Sequence, residues 1–143
     1  MRKVYVSLLL ILLSGLLVGV AQAELFVVVN VDNSAKTMSP EQIERLFLLK
    51  SKRFENGDAA EPVNQTESAA VREKFNSKVL GRDEAQLKYY WSRKMFSGGD
   101  RPPPIAGGDA DVEEFVAEHP GGIGYMAVAP KDARVKVVLK LPD

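Results

Sequence analysis

The stretch that decides the fold is LFVVVNV, residues 25–31, because it is apolar at every position up to Asn30. A strand with one face in water alternates apolar and polar residues, whereas this run offers apolar side chains to both faces. The run therefore predicts a central strand, in a sheet that carries helices on both sides.

The residues before this strand have the layout of a secretory signal peptide. Arg2 and Lys3 precede an apolar run from Ser7 to Val20, and Ala21-Gln22-Ala23 closes it with a small-x-small pattern. We expect cleavage after Ala23 and a periplasmic location. The alternative is an uncleaved N-terminal anchor, which the polar residues that follow at once disfavour.

Length, charge and cysteine content limit what the mature chain, residues 24–143, can be. It has 143 − 23 = 120 residues, which is enough for one modest domain. Removing Arg2 and Lys3 leaves 19 − 2 = 17 basic and 19 acidic side chains, a net charge of −2 with histidine neutral. Nucleic-acid binding is not expected, because such domains carry a basic patch. The absence of cysteine excludes a disulfide scaffold and a lipid-modified cysteine.

Helical patterns follow the first strand. In TMSPEQIERLFLL, residues 37–49, Ser39 and Gln42 form a capping box around Pro40, and Ile43, Leu46 and Phe47 make the buried stripe. After a turn-containing loop and a brief strand over Ala60–Val63, a second helix begins near Ser68 and ends at Gly81. A third begins at Asp83. Their predicted buried stripes are, in order, Val71, Phe75 and Val79, then Leu87, Trp91 and Met95.

The C-terminal part of the chain completes an α/β pattern. A Gly/Pro-rich connector, residues 97–108, leads to a fourth helix over Asp111–His119 and then to strands over Ile123–Ala127 and Val135–Leu141. Lysines in the last segment predict a half-exposed edge strand. Strands interspersed with helices indicate one layered α/β domain.

The segment VNQTESAAVREKF, residues 63–75, carries the strongest indication of a binding site. A helix start has unpaired N–H groups and a partial positive charge, which suit an oxyanion. Thr66 and Ser68 offer hydroxyls at this start, Asn64 and Gln65 offer amide donors, and Arg72 lies one turn beyond Ser68. The alternatives are that the hydroxyls only cap the helix, or that the Glu67 carboxylate occupies the site.

Several stretches resemble the periplasmic phosphate-binding proteins of ABC transporters, and in particular their small single-lobe relatives. The likeness runs from Leu25 to Leu139, and its most specific pieces are the IERLF and FENG motifs of residues 43–57 and PGGIGY at residues 120–125. The resemblance implies one lobe of a type II periplasmic binding protein, with a mixed sheet and helices on both faces.

The same resemblance implies where a ligand would bind. In the family, an arginine is followed four residues later by Ser-Gly-Thr at a helix start, and these positions fall here on Asn64, Ser68, Ala69 and Ala70. Only the serine matches. The second lobe of the family's cleft has no counterpart in a chain of this length, so a solvated half-cleft with weak affinity is expected.

Other constellations favour structural roles. His119, the only histidine, is placed to cap a helix end, and no G-x-S-x-G motif surrounds Ser68, so a hydrolase is not expected. The glycines of residues 96–99 favour a helix C-cap over a second anion nest. Acidic residues near Asp111 are first-turn charges and not a metal site, and the aromatic run of residues 89–91 is helix packing.

The sequence therefore predicts a non-enzymatic, exported binding protein for phosphate or a related oxyanion, without cofactor or metal. Its anion-binding residues are predicted to be Asn64, Thr66, Ser68, Ala69, Ala70 and Arg72. A membrane transporter or sensor component, or a second copy of the chain, is the expected partner. The alternative is a protein-interaction or sensory module that kept the fold and lost the ligand.

Overall fold

The structure, a computed structural model, describes residues 24–142, so the predicted signal peptide lies outside the described residues. Within this range no helix is long and apolar enough to cross a membrane. The elements, in chain order, are β1 (Leu25–Asn30), α1 (Pro40–Phe47), β2 (Glu61–Pro62), β3 (Asn64–Gln65), α2 (Ala70–Phe75), α3 (Glu84–Phe96), β4 (Ile105–Gly107), α4 (Asp109–Glu118), β5 (Gly122–Met126) and β6 (Val135–Leu141).

The main sheet is mixed and has four strands in the order β2-β5-β1-β6. Strand β1 pairs antiparallel with both β5 and β6, and β2 runs parallel to β5. All six residues of β1 are buried, which confirms the central strand predicted from its two-sided apolar pattern. Strand β6 lies at the edge of the sheet with lysines partly exposed, as predicted.

Alternate residues of β1 enter two different cores. Leu25, Val27 and Val29 belong to the larger core, which also contains apolar side chains of α1, α2 and α3. Phe26 and Val28 face the smaller core on the other side, formed mainly with α4. Helices therefore cover both faces of the sheet, which is the α/β architecture expected from the sequence.

The predicted helix caps are present. The Ser39 hydroxyl accepts a hydrogen bond from the Gln42 amide at 3.2 Å, and the Gln42 side chain accepts one from the Ser39 amide at 2.8 Å. Asp83 and Gln86 form the same reciprocal pair at the start of α3. These caps fix the first turns of α1 and α3, because they satisfy amides that have no partner within the helix.

Several elements differ from the sequence prediction, including β2 and β5, whose limits shift by one residue at each end. Helix α2 begins at Ala70 and not at Ser68, and it continues as a π-helical segment, Asn76–Leu80, that ends at Gly81 in the left-handed conformation. The connector of residues 97–108 contains the short strand β4, which pairs parallel with β3. Helix α4 begins at Asp109, two residues before the predicted start.

The prediction that Met95 belongs to the buried stripe of α3 is wrong. Leu87 and Trp91 are buried as expected, but Met95 is 49% exposed. Helix α3 ends one residue later, at Phe96, and its last turn extends past the core, so spacing alone continues the stripe further than the packing does.

Candidate functional site

The turn between β3 and α2 is held by backbone hydrogen bonds at its two ends. The Thr66 amide donates to the Gly107 carbonyl at 3.1 Å, and the Ala69 amide donates to the Thr66 carbonyl at 3.0 Å. The amides of Ser68, Ala70 and Val71 have no hydrogen-bond acceptor among residues 24–142. Three donors at this turn are therefore unpaired within the described chain, those of exposed Ser68 and Ala70 and that of buried Val71.

The side chains at the turn leave these donors uncovered. Ala69 is the N-cap of α2 and has no side-chain cap bond. Ser68 and Glu67 are both exposed, and neither side chain forms a hydrogen bond within the described part of the chain. The two alternatives weighed from the sequence, a capping hydroxyl and a carboxylate seated on the helix start, are both absent from residues 66–71.

Asn64 faces the interior of the domain. Its side chain is nearly buried, and its Oδ1 accepts a hydrogen bond from the Tyr125 hydroxyl at 3.0 Å. Its Nδ2 donates to the Pro103 carbonyl at 3.4 Å. The amide therefore links β3 to its neighbours and does not point toward the Ser68 turn.

Arg72 is also directed inward. Its Nη1 donates to the Gln65 carbonyl at 2.8 Å, and its Nη2 forms an ion pair with Glu84 Oε1 at 3.1 Å. Asn76 Nδ2 donates to the other oxygen of the same carboxylate at 3.0 Å. Arg72 thus joins α2 to the first turn of α3, and the Glu84 carboxylate neutralises the charge of its guanidinium.

A polar network around Tyr125 supports the turn from below. The Tyr125 hydroxyl accepts from the Gln65 amide at 3.2 Å, and Gln65 Nε2 donates to Asp109 Oδ1 at 2.5 Å. The Tyr125 ring stacks on Phe75 of α2 with centroids 3.9 Å apart. Burial raises the pKa of the Tyr125 hydroxyl to about 12, since the phenolate is disfavoured away from water. Sequence reasoning missed this network, because Gln65 and Tyr125 are 60 residues apart and no local motif links them.

The six predicted residues do not form a single site. Ser68 and Ala69 line an open groove of 710 Å³, which we call the Ser68 groove, together with residues from the end of the π-helical segment and the start of α3. Asn64 and Arg72 line a different groove, of 360 Å³, beside α3. Thr66 and Ala70 line neither of these two grooves.

The Ser68 groove has an acidic lining. Its charged residues are Glu67, Glu73, Asp83, Glu84 and Arg82, so four carboxylates face one guanidinium. These carboxylates oppose an anion at the open amides, whereas the amides and the Ser68 hydroxyl attract it. The arrangement is suited to weak binding of an oxyanion through directed hydrogen bonds.

His119 and the glycines after α3 have the capping roles expected from the sequence. His119 Nδ1 lies 2.7 Å from the Phe115 carbonyl at the end of α4. Gly98 has a left-handed backbone and Gly99 donates to the Lys94 carbonyl, which caps α3. Asp109 and Glu113 accept hydrogen bonds from backbone amides after β5. Among residues 24–142, no group of three metal-binding side chains is present.

Comparison with solved structures identifies the fold. A candidate phosphate ABC transporter substrate-binding protein from Clostridium perfringens, solved with bound phosphate, superposes with a TM-score of 0.63 at 16% identity and covers 81% of this chain. An ABC-type phosphate transport receptor from Vibrio cholerae gives 0.60 at 16% identity over 81%. A candidate phosphate-binding protein from Planctomyces limnophilus gives 0.58 at 15% identity over 82%.

These likenesses establish the architecture of the chain. The match spans 45%, 46% and 42% of the three solved chains, so this protein covers less than half of each. The predicted fold, a mixed sheet with helices on both faces that corresponds to one lobe of a phosphate-binding protein, is confirmed. No family model and no curated protein matches the sequence.

Proposed function

We propose that this protein is an exported binding protein that takes phosphate or a related oxyanion weakly at the Ser68 groove. The observation that carries the proposal is the unpaired Ser68 amide beside the exposed Ser68 hydroxyl in this groove, with the unpaired amides of Ala70 and Val71 following in the chain. Directed N–H and O–H donors at a turn entering a helical segment are the usual means by which proteins hold tetrahedral oxyanions. The fold shared with phosphate-transport proteins supports the same ligand class.

The roles of the predicted residues divide into contact and support. Ser68 donates through its hydroxyl and its amide, and Ala70 presents its unpaired backbone amide, whereas the Ala69 amide is bonded to the Thr66 carbonyl and shapes the turn. Thr66 fixes the turn through its bond to Gly107. Asn64 and Arg72 act beneath the turn, through Tyr125, Gln65 and Glu84.

Weak affinity follows from the surroundings of the open amides. The groove is exposed to water, so each hydrogen bond to the anion replaces one to solvent. Four carboxylates line the same groove. A second chain that covered the groove would exclude water and strengthen binding, and we propose a homodimer or a membrane transport or sensor component in the periplasm as that partner.

The proposal is tested by calorimetric titration, which measures ligand binding directly, and by the melting temperature, which measures it through stability. Calorimetric titration with phosphate and with sulfate, at two protein concentrations, is expected to give dissociation constants near the millimolar range, with tighter binding at the higher concentration if dimers form. Because a ligand that binds only the folded state stabilises it, millimolar anion is expected to raise the melting temperature.

Ser68→Ala is expected to abolish most of the anion-induced shift while leaving the melting temperature without anion unchanged, because the hydroxyl has no partner in the described chain. Ser92→Ala, at an exposed serine of α3, is the matched control. If no oxyanion changes the melting temperature of the unmodified protein, the binding function is refuted, and the protein-interaction or sensory module becomes the better account.

A further inference from the structure

The outer face of α3 forms a second open groove with a basic lining. This α3 groove has a volume of 520 Å³ and is lined by Arg82, Arg93 and Lys94, by Tyr89 and Tyr90, and by Gln86 and Ser97. No carboxylate belongs to this lining. The local charge is therefore strongly positive, although the mature chain as a whole is slightly acidic.

The two arginines of the α3 groove lie against aromatic rings, while the Lys94 ammonium donates to the Leu48 and Leu49 carbonyls. The Arg82 guanidinium lies 4.8 Å from the centre of the Tyr90 ring, and that of Arg93 lies 5.8 Å from the Tyr89 ring. Within residues 24–142 neither arginine forms an ion pair, and Arg82 Nη1 is buried without a hydrogen-bond partner. Cation–π contacts position these groups but leave their charge available to an anion.

A fully exposed aromatic side chain lies next to this basic groove. Phe96 is 95% exposed, and it follows Tyr89 by seven residues, which places both on the same side of α3. Arg93 lies between them on that side, and Met95 beside Phe96 is half exposed. Tyr89, Met95 and Phe96 together leave three large apolar side chains exposed on the last turns of α3, and an exposed apolar patch rimmed by polar residues marks an interaction site.

We propose that the α3 face, meaning the α3 groove together with Phe96, binds the surface of an anionic phospholipid membrane. The cations contact headgroup phosphates, and Phe96 enters the boundary between headgroups and acyl chains. Basic groups next to exposed aromatic side chains are the combination that such surfaces attract. A soluble anion would use the cations but leave Phe96 in water, so the lipid surface accounts for both observations.

The proposal is tested by sedimenting the whole protein with vesicles. One set contains phosphatidylcholine alone, and the other contains about one third phosphatidylglycerol, which gives the surface a negative potential. Binding is expected to the anionic vesicles only. It is expected to weaken steeply as salt is raised toward about 1 M, where the Debye length falls to about 3 Å.

Two substitutions test the two parts of the α3 face. Arg93→Gln is expected to lower the vesicle partition coefficient about fivefold, because that factor is what one cation near an anionic surface contributes to binding. Phe96→Ser is expected to lower it at least about tenfold, because the buried aromatic surface is lost. The matched controls are Lys131→Gln and Val128→Ser in the loop after β5, where both residues are exposed. They are expected to leave binding unchanged, and Phe96→Ser is expected to keep the native melting temperature.

Three results would overturn the proposal. Equal binding to neutral and anionic vesicles would show that the cations do not contribute to membrane binding. Equal losses in the control variants would show that the α3 face is not the contact. Absence of vesicle binding, with Arg93-dependent binding of inorganic diphosphate in calorimetry, would assign the groove to a soluble anion. The Ser68→Ala variant is expected to bind vesicles normally, so failure of the oxyanion proposal is distinguishable from failure of this one.

Discussion

The two grooves that meet at Arg82 and Gln86 have opposite linings, although α3 contributes to both. Four carboxylates line the Ser68 groove, and three cations without any carboxylate line the α3 groove. The difference follows the direction of α3, because its first turn carries Glu84 after the Asp83 cap and its last turn carries Arg93 and Lys94. Acids at the start and bases at the end of a helix both stabilise its dipole. A preference that stabilises one helix therefore contributes two of the four carboxylates of the Ser68 groove and two of the three cations of the α3 groove.

Two arginines near these grooves, Arg72 and Arg93, also differ in burial and pairing. Arg72 lies close to the Ser68 groove in sequence, yet its guanidinium is buried and paired with Glu84, whereas Arg93 of the α3 groove is exposed and unpaired in the described chain. A buried cation has a structural role and an exposed one is available to a ligand. The stabilities of variants at Arg72 and Arg93 therefore test most strongly whether the first arginine is structural and the second is free for a ligand.

Arg72→Ala is expected to have the largest effect on stability, a loss of about 2–3 kcal/mol in the free energy of unfolding. The substitution removes two charge-assisted hydrogen bonds and leaves a small cavity between α2 and α3. Arg93→Ala is the matched control and is expected to change stability by less than about 0.5 kcal/mol. Urea denaturation monitored through Trp91 measures both.

Arg72→Met separates the charge from the packing. Methionine keeps most of the aliphatic volume but none of the hydrogen bonds, so an intermediate loss is expected. If Arg72→Ala and Arg93→Ala destabilise the protein equally, the distinction between a supporting and a surface arginine is wrong.

Tyr125→Phe is expected to give the next largest loss in the free energy of unfolding, and this loss depends on pH. At neutral pH, Tyr125→Phe is expected to cost about 1–3 kcal/mol, because Asn64 Oδ1 and the Gln65 amide lose their partner. The folded-state pKa of Tyr125 is about 12, above the ordinary value near 10. As pH rises from about 10 to about 12, the unfolded chain loses this proton before the native one, so the contribution of the hydroxyl falls by about 1.4 kcal/mol per pH unit.

The measurement is the difference in unfolding free energy between the unmodified protein and Tyr125→Phe at increasing pH. This difference is expected to be constant below about pH 10 and to narrow above it. Tyr90→Phe, which removes a hydroxyl bonded to the Leu48 carbonyl beside the α3 groove, is the control. A difference that stays constant up to about pH 11 would contradict the buried, protonated role of Tyr125.

Much of the fold could be predicted from local patterns. The apolar run of β1, the capping box at Ser39 and the glycine after Leu80 each specify a structure through neighbouring residues, and each is present. Strand β4 and the true limit of the α3 stripe were missed, because both depend on contacts with distant segments. Local chemistry does not encode where a short strand finds its partner.

The candidate site was predicted only in part, for the same reason. The Ser68 turn was identified from its hydroxyls and its helix start. The orientations of Asn64 and Arg72, however, are set by Tyr125 and Glu84, which lie 61 and 12 residues away in the chain. The carboxylates that line the groove come from three segments, so the sequence around Ser68 did not reveal the acidic surroundings.

The smallest expected effect concerns Glu67, the exposed carboxylate nearest to Ser68 in sequence within the Ser68 groove. If the carboxylates weaken anion binding, Glu67→Gln should tighten phosphate binding about fivefold, because removing one like charge at close range in water relieves about 1 kcal/mol of repulsion. Glu114→Gln, at an exposed position of α4, should leave the dissociation constant unchanged. Calorimetry at low ionic strength measures the difference, and the gain should shrink with added salt because exposed charges are screened. Weaker phosphate binding by Glu67→Gln would mean that this carboxylate orders the turn instead of opposing the ligand.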